Sequence, residues 1–135
     1  MENSTILALD VGDRRVGVAI ANTIAKLASP LCAIDRKTED VWEALAKLIS
    51  KHDPVIIAIG LPRGLEGQET AQTATVREFV SQFESRFDIP VHLQDEALTS
   101  RQAEEELRSR GVGYTKGDID ALAATYILAD FLNNS

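Results

Sequence analysis

The chain has a single cysteine, Cys32, which excludes an internal disulfide framework and a cysteine-built zinc site. Aromatic residues are scarce, at 5% of the composition, too few for the stacked-base platforms of single-strand-binding proteins. Basic residues are outnumbered: 14 Lys+Arg against 21 Asp+Glu leave a formal charge of −7. That balance argues against a broad basic face coating nucleic acid. A small basic rim around an acidic centre stays open, because a bound divalent cation reverses the sign of the local field. No apolar run approaches the roughly 18 residues of a membrane span. The opening MENSTILALD carries an acid where a secretory signal needs a basic region. The loop GLPRGLEG lacks the closing Gly-Lys-Ser/Thr of a Walker loop. No linker, internal repeat or low-complexity stretch breaks the 135 residues, so the expectation is one cytoplasmic domain over 1–135 with no membrane partner.

What is present alternates between two periods. STILALD, from Ser4, is β-rich and apolar on both faces, and Val16 to Ala21 forms a second β-branched stretch close enough to pair with it. Leu27 to Ile34 supplies a third strand, weakened by Pro30. Val41, Leu45, Leu48, Ile49 and His52 then fall on one helical face. Pro54 ends that helix, and Val55 to Gly60 is a continuous apolar run suited to a parallel strand covered on both sides. A helix is expected from about Gln68 to Phe87, with Ala71, Ala74, Phe79 and Phe83 among its apolar positions. Val91 to Leu93 reads as a short strand, and helices over about Ser100 to Arg110 and Lys116 to Leu132 close the chain. Strands alternating with helices after an initial meander imply an α/β fold, a mixed five-stranded sheet flanked by helices.

Most acids, Glu43, Glu84 and Glu104 to Glu106 among them, sit on helix segments as solvated faces. Three positions differ. Asp10 ends the first strand in phase with Ile6 and Ala8, so it shares their face. A lone carboxylate there is costly unless it is paired or binds a metal. Pairing with Arg14 or Arg15 across the turn at Gly12 and metal ligation both stay open. Asp95 and Glu96 follow the VHL strand at its carboxyl end, where open α/β sheets place ligands. Thr99 with Gln102 already spells a capping box for the next helix, so neither acid is needed as the cap. Adjacent strand residues face opposite ways, so only one of these two points into a shared site.

On the last helix, Thr115 to Asp118 fits a capping signature that accounts for Asp118. Asp120 has no such account: Ala123, Ala124, Ile127 and Phe131 follow it along an apolar stripe. It is expected to stay ionised and point toward the sheet. Acids from a first strand, a later strand and a terminal helix suit metal-assisted phosphodiester hydrolysis. Carboxylates are hard-oxygen ligands for Mg²⁺ or Mn²⁺, and two such ions about 4 Å apart activate a water and stabilise a leaving oxygen.

Arg14 and Arg15, in the turn beside Asp10, Arg63 in the glycine-rich loop, and Arg101 and Lys116 flanking the later acids can together hold phosphate oxygens. His52 and His92 do not have metal-ligand spacing, and Cys32 reads as a small core residue.

The segments LALDVGDRRVGVAIA, IGLPRGLEG, VHLQDEALTSRQAEEEL and KGDIDALAATYILADFL, in this order from about Thr5 to Leu132, resemble the YqgF/RuvX family of pre-16S rRNA nucleases, also described as Holliday-junction-resolvase-like. The resemblance implies an RNase H-like fold and a metal-dependent nuclease site with Asp10, Glu96 and Asp120 as catalytic and metal-binding residues. It turns the Asp95/Glu96 choice toward Glu96, and it marks Arg15, Thr99 and Lys116 as substrate contacts, beside Arg14 and Arg63 from the residue reading. Ala97 stands where the family usually has Arg, so substrate affinity or range is expected to differ. The implied partners are an rRNA precursor or branched DNA and a ribosomal subunit, with the chain a monomer or homodimer and two Mg²⁺ or Mn²⁺ ions as cofactor. Two other classes compete: a binding module that kept the fold without useful catalysis, and a D-x-G phosphate loop of the actin and sugar-kinase type. The latter lacks room for the second domain such ATPases close over nucleotide.

Overall fold

A computed structural model describes residues 3–96, 99–111 and 113–133. The strands are β1 (Thr5–Val11), β2 (Arg15–Asn22), β3 (Ser29–Asp35), β4 (Pro54–Pro62) and β5 (Val91–Glu96), and the helices α1 (Val41–His52), α2 (Ala71–Arg86), α3 (Thr99–Ser109) and α4 (Lys116–Asn133). The sheet runs β3-β2-β1-β4-β5. The first three strands form an antiparallel meander, and β4 lies parallel to both β1 and β5. The α/β architecture with a mixed five-stranded sheet is the one expected. No helix among the described residues is long and apolar enough to cross a membrane.

The two faces of the sheet differ in side-chain size, and that difference positions the site. Leu7, Leu9 and Val11 point to one face, where they pack with Leu45 of α1 and with Val76, Phe79 and Phe83 of α2. Trp42 stacks on Phe79 with ring centroids 4.8 Å apart, tying α1 to α2. The opposite face is paved with Ala8, Ala19, Ala21 and Ala58 beside Ile6, and α4 lies on it through Ala124, Ile127, Leu128 and Phe131. Small residues let the helix backbone come close. At Gly17 an added Cβ would stand only 2.0 Å from the carbonyl oxygen of Asp120. Outside α4, α3 packs Ala103 and Leu107 against Leu122 and Ala123.

Several expected boundaries shift for identifiable reasons. Pro30 sits in the edge strand β3, opposite Ala19 and beside a register irregularity, where its missing N–H is tolerated. Leu27 lies outside the strand and is exposed. Helix α2 starts at Ala71 rather than Gln68 because Thr70 caps it in a reciprocal box with Thr73. Ala71 and Ala74 face solvent; the buried stripe is Thr73, Val76, Phe79, Val80 and Phe83. Alanine is a strong helix former that carries little information about which face is buried. Strand β5 continues past Leu93 to Glu96 because Gln94, Asp95 and Glu96 pair with Gly60, Leu61 and Pro62.

Thr73 is fully buried; its hydroxyl donates to the Pro62 carbonyl and accepts from the Thr70 N–H. Thr73→Val preserves shape but strands both groups, so unfolding in urea is expected to show a loss of about 1–3 kcal/mol with an unchanged denaturant slope.

Candidate active site

Asp10 lies near the end of β1, on the face of Ile6 and Ala8 and directly across the ladder from Gly17. It is half-buried. Arg14 donates to Asp35 at 3.0 Å, and Arg15, the first residue of β2 rather than a turn residue, donates to Asp120 at 2.5 Å.

Glu96 closes β5. A Cβ built on Gly60 would stand 2.4 Å from Ile127 Cδ1 and 3.8 Å from Glu96 Cγ, which places Glu96 on the α4 face of the sheet. Asp95 points the other way and accepts from Arg63 at 3.2 Å. The alternation of strand residues thus separates the two acids as expected, and Glu96 is the one that shares a face with Asp10.

Asp120 is fixed by the start of α4. The Thr115 N–H donates to Asp118 at 2.8 Å and the Asp118 N–H donates to the Thr115 hydroxyl at 3.1 Å, so Asp118 serves the cap as anticipated. Asp120 follows with its backbone against Gly17 and its carboxylate on Arg15. Asp10 and Asp120 are therefore both neighbours of Gly17, one across the ladder and one above it.

The electrostatics of this face are unbalanced. Glu96 is pushed up to about 9 by burial, then by a hydrogen bond with Asp130 and the charges of Asp130, Asp10 and Asp95. Its Oε1 is buried with no hydrogen-bond partner. Asp120 is pushed up by burial, with Arg15 pulling it back. A half-buried carboxyl with an orphaned oxygen among like charges is a setting that a cation relieves, and the donors are all hard oxygens of the kind Mg²⁺ and Mn²⁺ take. The donor chemistry fits. Among the described residues, however, no three His, Cys, Asp or Glu side chains stand close enough to hold a metal ion as placed; Asp120 in particular is engaged by Arg15.

Asp130 was not anticipated. It lies next to Phe131 and one turn beyond Ile127 on α4, and it reaches Glu96. The available signal was an acid bordering an apolar stripe in the C-terminal half of a helix, where the dipole disfavours negative charge.

The expected phosphate contacts are partly redistributed. Arg14 is drawn to Asp35, an exposed pair at the end of β3. Arg63 lies between Asp95 and Glu69, with Glu69 also held by Arg77. Arg63 nevertheless lines an open groove of about 440 Å³ with Gly64, Leu65, Gly67, Asp95 and Glu96, so the glycine-rich loop does border the candidate site. Lys116 is exposed at the first position of α4. Ala97 and the side chains of Thr99 and Arg101 lie outside the described residues. His92 packs against the Phe131 ring, with centroids 4.8 Å apart. Burial, then Glu39, pushes the Cys32 thiol up, away from a reactive thiolate.

A pH dependence follows for the cation-free protein. Glu96 binds its proton more tightly folded, near 9, than its ordinary 4.5. Stability from this group is therefore full below about 4.5 and lost as pH rises through about 9. Thermal midpoints in chelator are expected to fall across that window. Glu96→Gln, which removes the titrating group beside Asp130, Asp10 and Asp95, should flatten the fall, and an unchanged slope would show that the crowding is not felt.

Comparison with known proteins shows the family and the fold. The family model RuvX, described as Holliday junction resolvase, matches residues 4–134. A protein of Haemophilus ducreyi named "Putative pre-16S rRNA nuclease" is 37% identical over 138 residues, covering 98% of both chains. One of Thiobacillus denitrificans with the same name is 39% identical, covering 97% of this chain and 92% of the relative. Among solved structures, Thermus thermophilus RuvC superposes with a TM-score of 0.52 at 16% identity, covering 96% of this chain and 95% of the other. The same protein in complex with a Holliday junction substrate gives 0.50 at 18% identity, covering 96% and 94%. These two likenesses bear on the fold, which is RNase H-like. With the family model matched almost end to end and relatives above 30% identity over nearly their whole length, the chain belongs to the RuvX family.

Proposed function

We infer that the protein is a nuclease that hydrolyses phosphodiester bonds in structured nucleic acid, with divalent cations held by Asp10, Glu96 and Asp120, and that its substrate is the 5′ end of the pre-16S rRNA. The observation that carries this reading is Glu96. A half-buried carboxyl with an unpartnered Oε1, among Asp10, Asp95 and Asp130, at the carboxyl end of β5 is costly to the fold and is relieved by a bound cation. The name borne by the relatives, "Putative pre-16S rRNA nuclease", supports the choice of a pre-16S rRNA substrate.

In this reading Asp10 and Glu96 present oxygens from strands, and Asp120 would add a third from α4, the helix packed on the sheet, once Arg15 releases it. Such placement keeps the ligands from drifting as substrate arrives. Arg63, at the groove beside Glu96, and Lys116, at the exposed start of α4, neutralise backbone phosphates flanking the scissile bond. Bound Mg²⁺ or Mn²⁺ supplies an acidified water and charge stabilisation at the leaving 3′ oxygen. The local acidity of the site, within a chain of charge −7, makes substrate affinity depend on those cations rather than on a basic surface.

A second reading, resolution of four-way DNA junctions, is favoured by the description of the family model. Such a symmetric substrate calls for a two-fold dimer presenting two sites. Incubating the protein and Mn²⁺ with a precursor-rRNA fragment and a four-way DNA junction in parallel separates the two. Preferential cutting of the RNA supports the first reading and of the junction the second. Binding of either substrate with no cleavage would mark the chain as a non-catalytic module.

A further inference from the structure

We propose that Arg15 couples substrate binding to cation loading: its guanidinium holds Asp120 until a phosphate of the nucleic-acid backbone draws it away. The proposal rests on the nuclease reading above and concerns how that site is assembled. Arg15 Nε lies 2.5 Å from Asp120 Oδ2, and the two side chains are only 26% and 18% exposed.

Both ends of this contact are fixed by backbone. Arg15 opens β2, stands opposite Asp35 in the ladder, and its carbonyl accepts from the Gly12 N–H at 2.9 Å. Asp120 is pinned where α4 meets Gly17. The pair joins residues 105 positions apart, so it is set by the fold rather than by two surface chains meeting in solvent. Among the described residues, Arg14 is held by Asp35 and Arg63 by Asp95 and Glu69, whereas Arg15 holds a candidate cation ligand.

A guanidinium and a divalent cation compete for the same carboxylate lone pairs, and arginine cannot give up its charge to step aside. While Arg15 sits on Asp120, the lone pairs of that carboxylate are engaged by the guanidinium rather than free for a cation. A backbone phosphodiester carries the same single charge and offers the guanidinium a bidentate partner, so bound substrate competes with Asp120 for Arg15. Once Arg15 moves to the phosphate, Asp120 is left half-buried and unpaired, a state that a cation relieves. Substrate then tightens cation binding, and by reciprocity the cation tightens substrate binding by the same factor. The arrangement keeps the site unloaded until nucleic acid is present.

The test is titration of Mn²⁺ alone into the full chain by calorimetry, beside cleavage of the precursor-rRNA fragment. Arg15→Gln is expected to bind Mn²⁺ about tenfold more tightly than the wild type, within the ordinary range of coupling between sites. Its KM should rise by a similar factor while kcat changes less. Adding Asp120→Asn to Arg15→Gln should abolish the gain. Because Arg15→Gln unpairs a half-buried acid and can weaken folding, the wild-type chain provides a second readout: the RNA fragment should tighten Mn²⁺ about tenfold. Equal Mn²⁺ affinity in Arg15→Gln and wild type, or with and without the fragment, in a protein that cleaves, overturns the coupling and leaves the nuclease standing. A wild type that neither binds Mn²⁺ nor cleaves overturns both.

Discussion

Asp10→Asn is expected to lower cation-dependent cleavage by more than about a hundredfold, since loss of even an outer partner of a metal ligand costs roughly 10–100-fold. Asparagine keeps the shape of the side chain, so β1 and its pairing with Gly17 should persist. It removes one of the charges that push Glu96 upward, so the cation-free variant should melt no lower than the wild type and is expected to melt slightly higher. The combination of lost activity with retained or improved stability is the signature of a ligand-bearing acid, because a carboxylate placed for structure would show the reverse. Cleavage within a few-fold of wild type by a folded Asp10→Asn would remove Asp10 from the site.

The largest expected effect on stability comes from Gly17→Ala. The added Cβ would lie 2.0 Å from the carbonyl oxygen of Asp120, 2.3 Å from its carbonyl carbon and 2.9 Å from the Ala121 nitrogen. All three are helix backbone, so no side-chain rotation relieves the clash. Helix α4 would have to lift from the sheet while Ile127, Leu128 and Phe131 hold it down. Overpacking of this kind costs about 3 kcal/mol or more, a fall in thermal midpoint of roughly 10 °C for a chain of this length. The same displacement moves Asp120 away from Asp10, so activity should fall even where the variant is folded. Gly60→Ala is the comparison: its nearest contact is the Cδ1 end of Ile127 at 2.4 Å, which can yield by rotation. A Gly17→Ala protein no less stable than Gly60→Ala would contradict the close approach of α4.

The parts of this site that were legible in the sequence are those set by local periodicity. Asp10 shares a face with Ile6 and Ala8 because strand side chains alternate, and Asp120 begins the stripe of Ala124, Ile127 and Phe131 because helical ones recur. Residue reading alone left Asp95 and Glu96 equivalent. Two extra rungs of β5, Asp95 on Leu61 and Glu96 on Pro62, separate them, and pairing with a distant strand has no local signal. Asp130 escaped for a related reason. Its meaning lies in reaching Glu96 on another element, and an acid on a long helix ordinarily reads as solvated. The arginines show the limit most plainly. Arg14 and Arg15 are adjacent in sequence, yet one is drawn to Asp35 and the other to Asp120, a division set by strand alternation and by where α4 lands. Ala71 and Ala74, expected on the buried stripe of α2, face solvent because the larger Val76, Phe79 and Phe83 fix the helix phase.

The most direct test of the central claim is single-turnover cleavage of an end-labelled precursor-rRNA fragment by the wild-type protein, with Mn²⁺ and with chelator, followed by analysis of the product ends. A site built on Asp10, Glu96 and Asp120 predicts cutting only with the cation, leaving 5′ phosphate and 3′ hydroxyl ends. Cutting that persists in chelator, or products ending in a 2′,3′-cyclic phosphate, would contradict it.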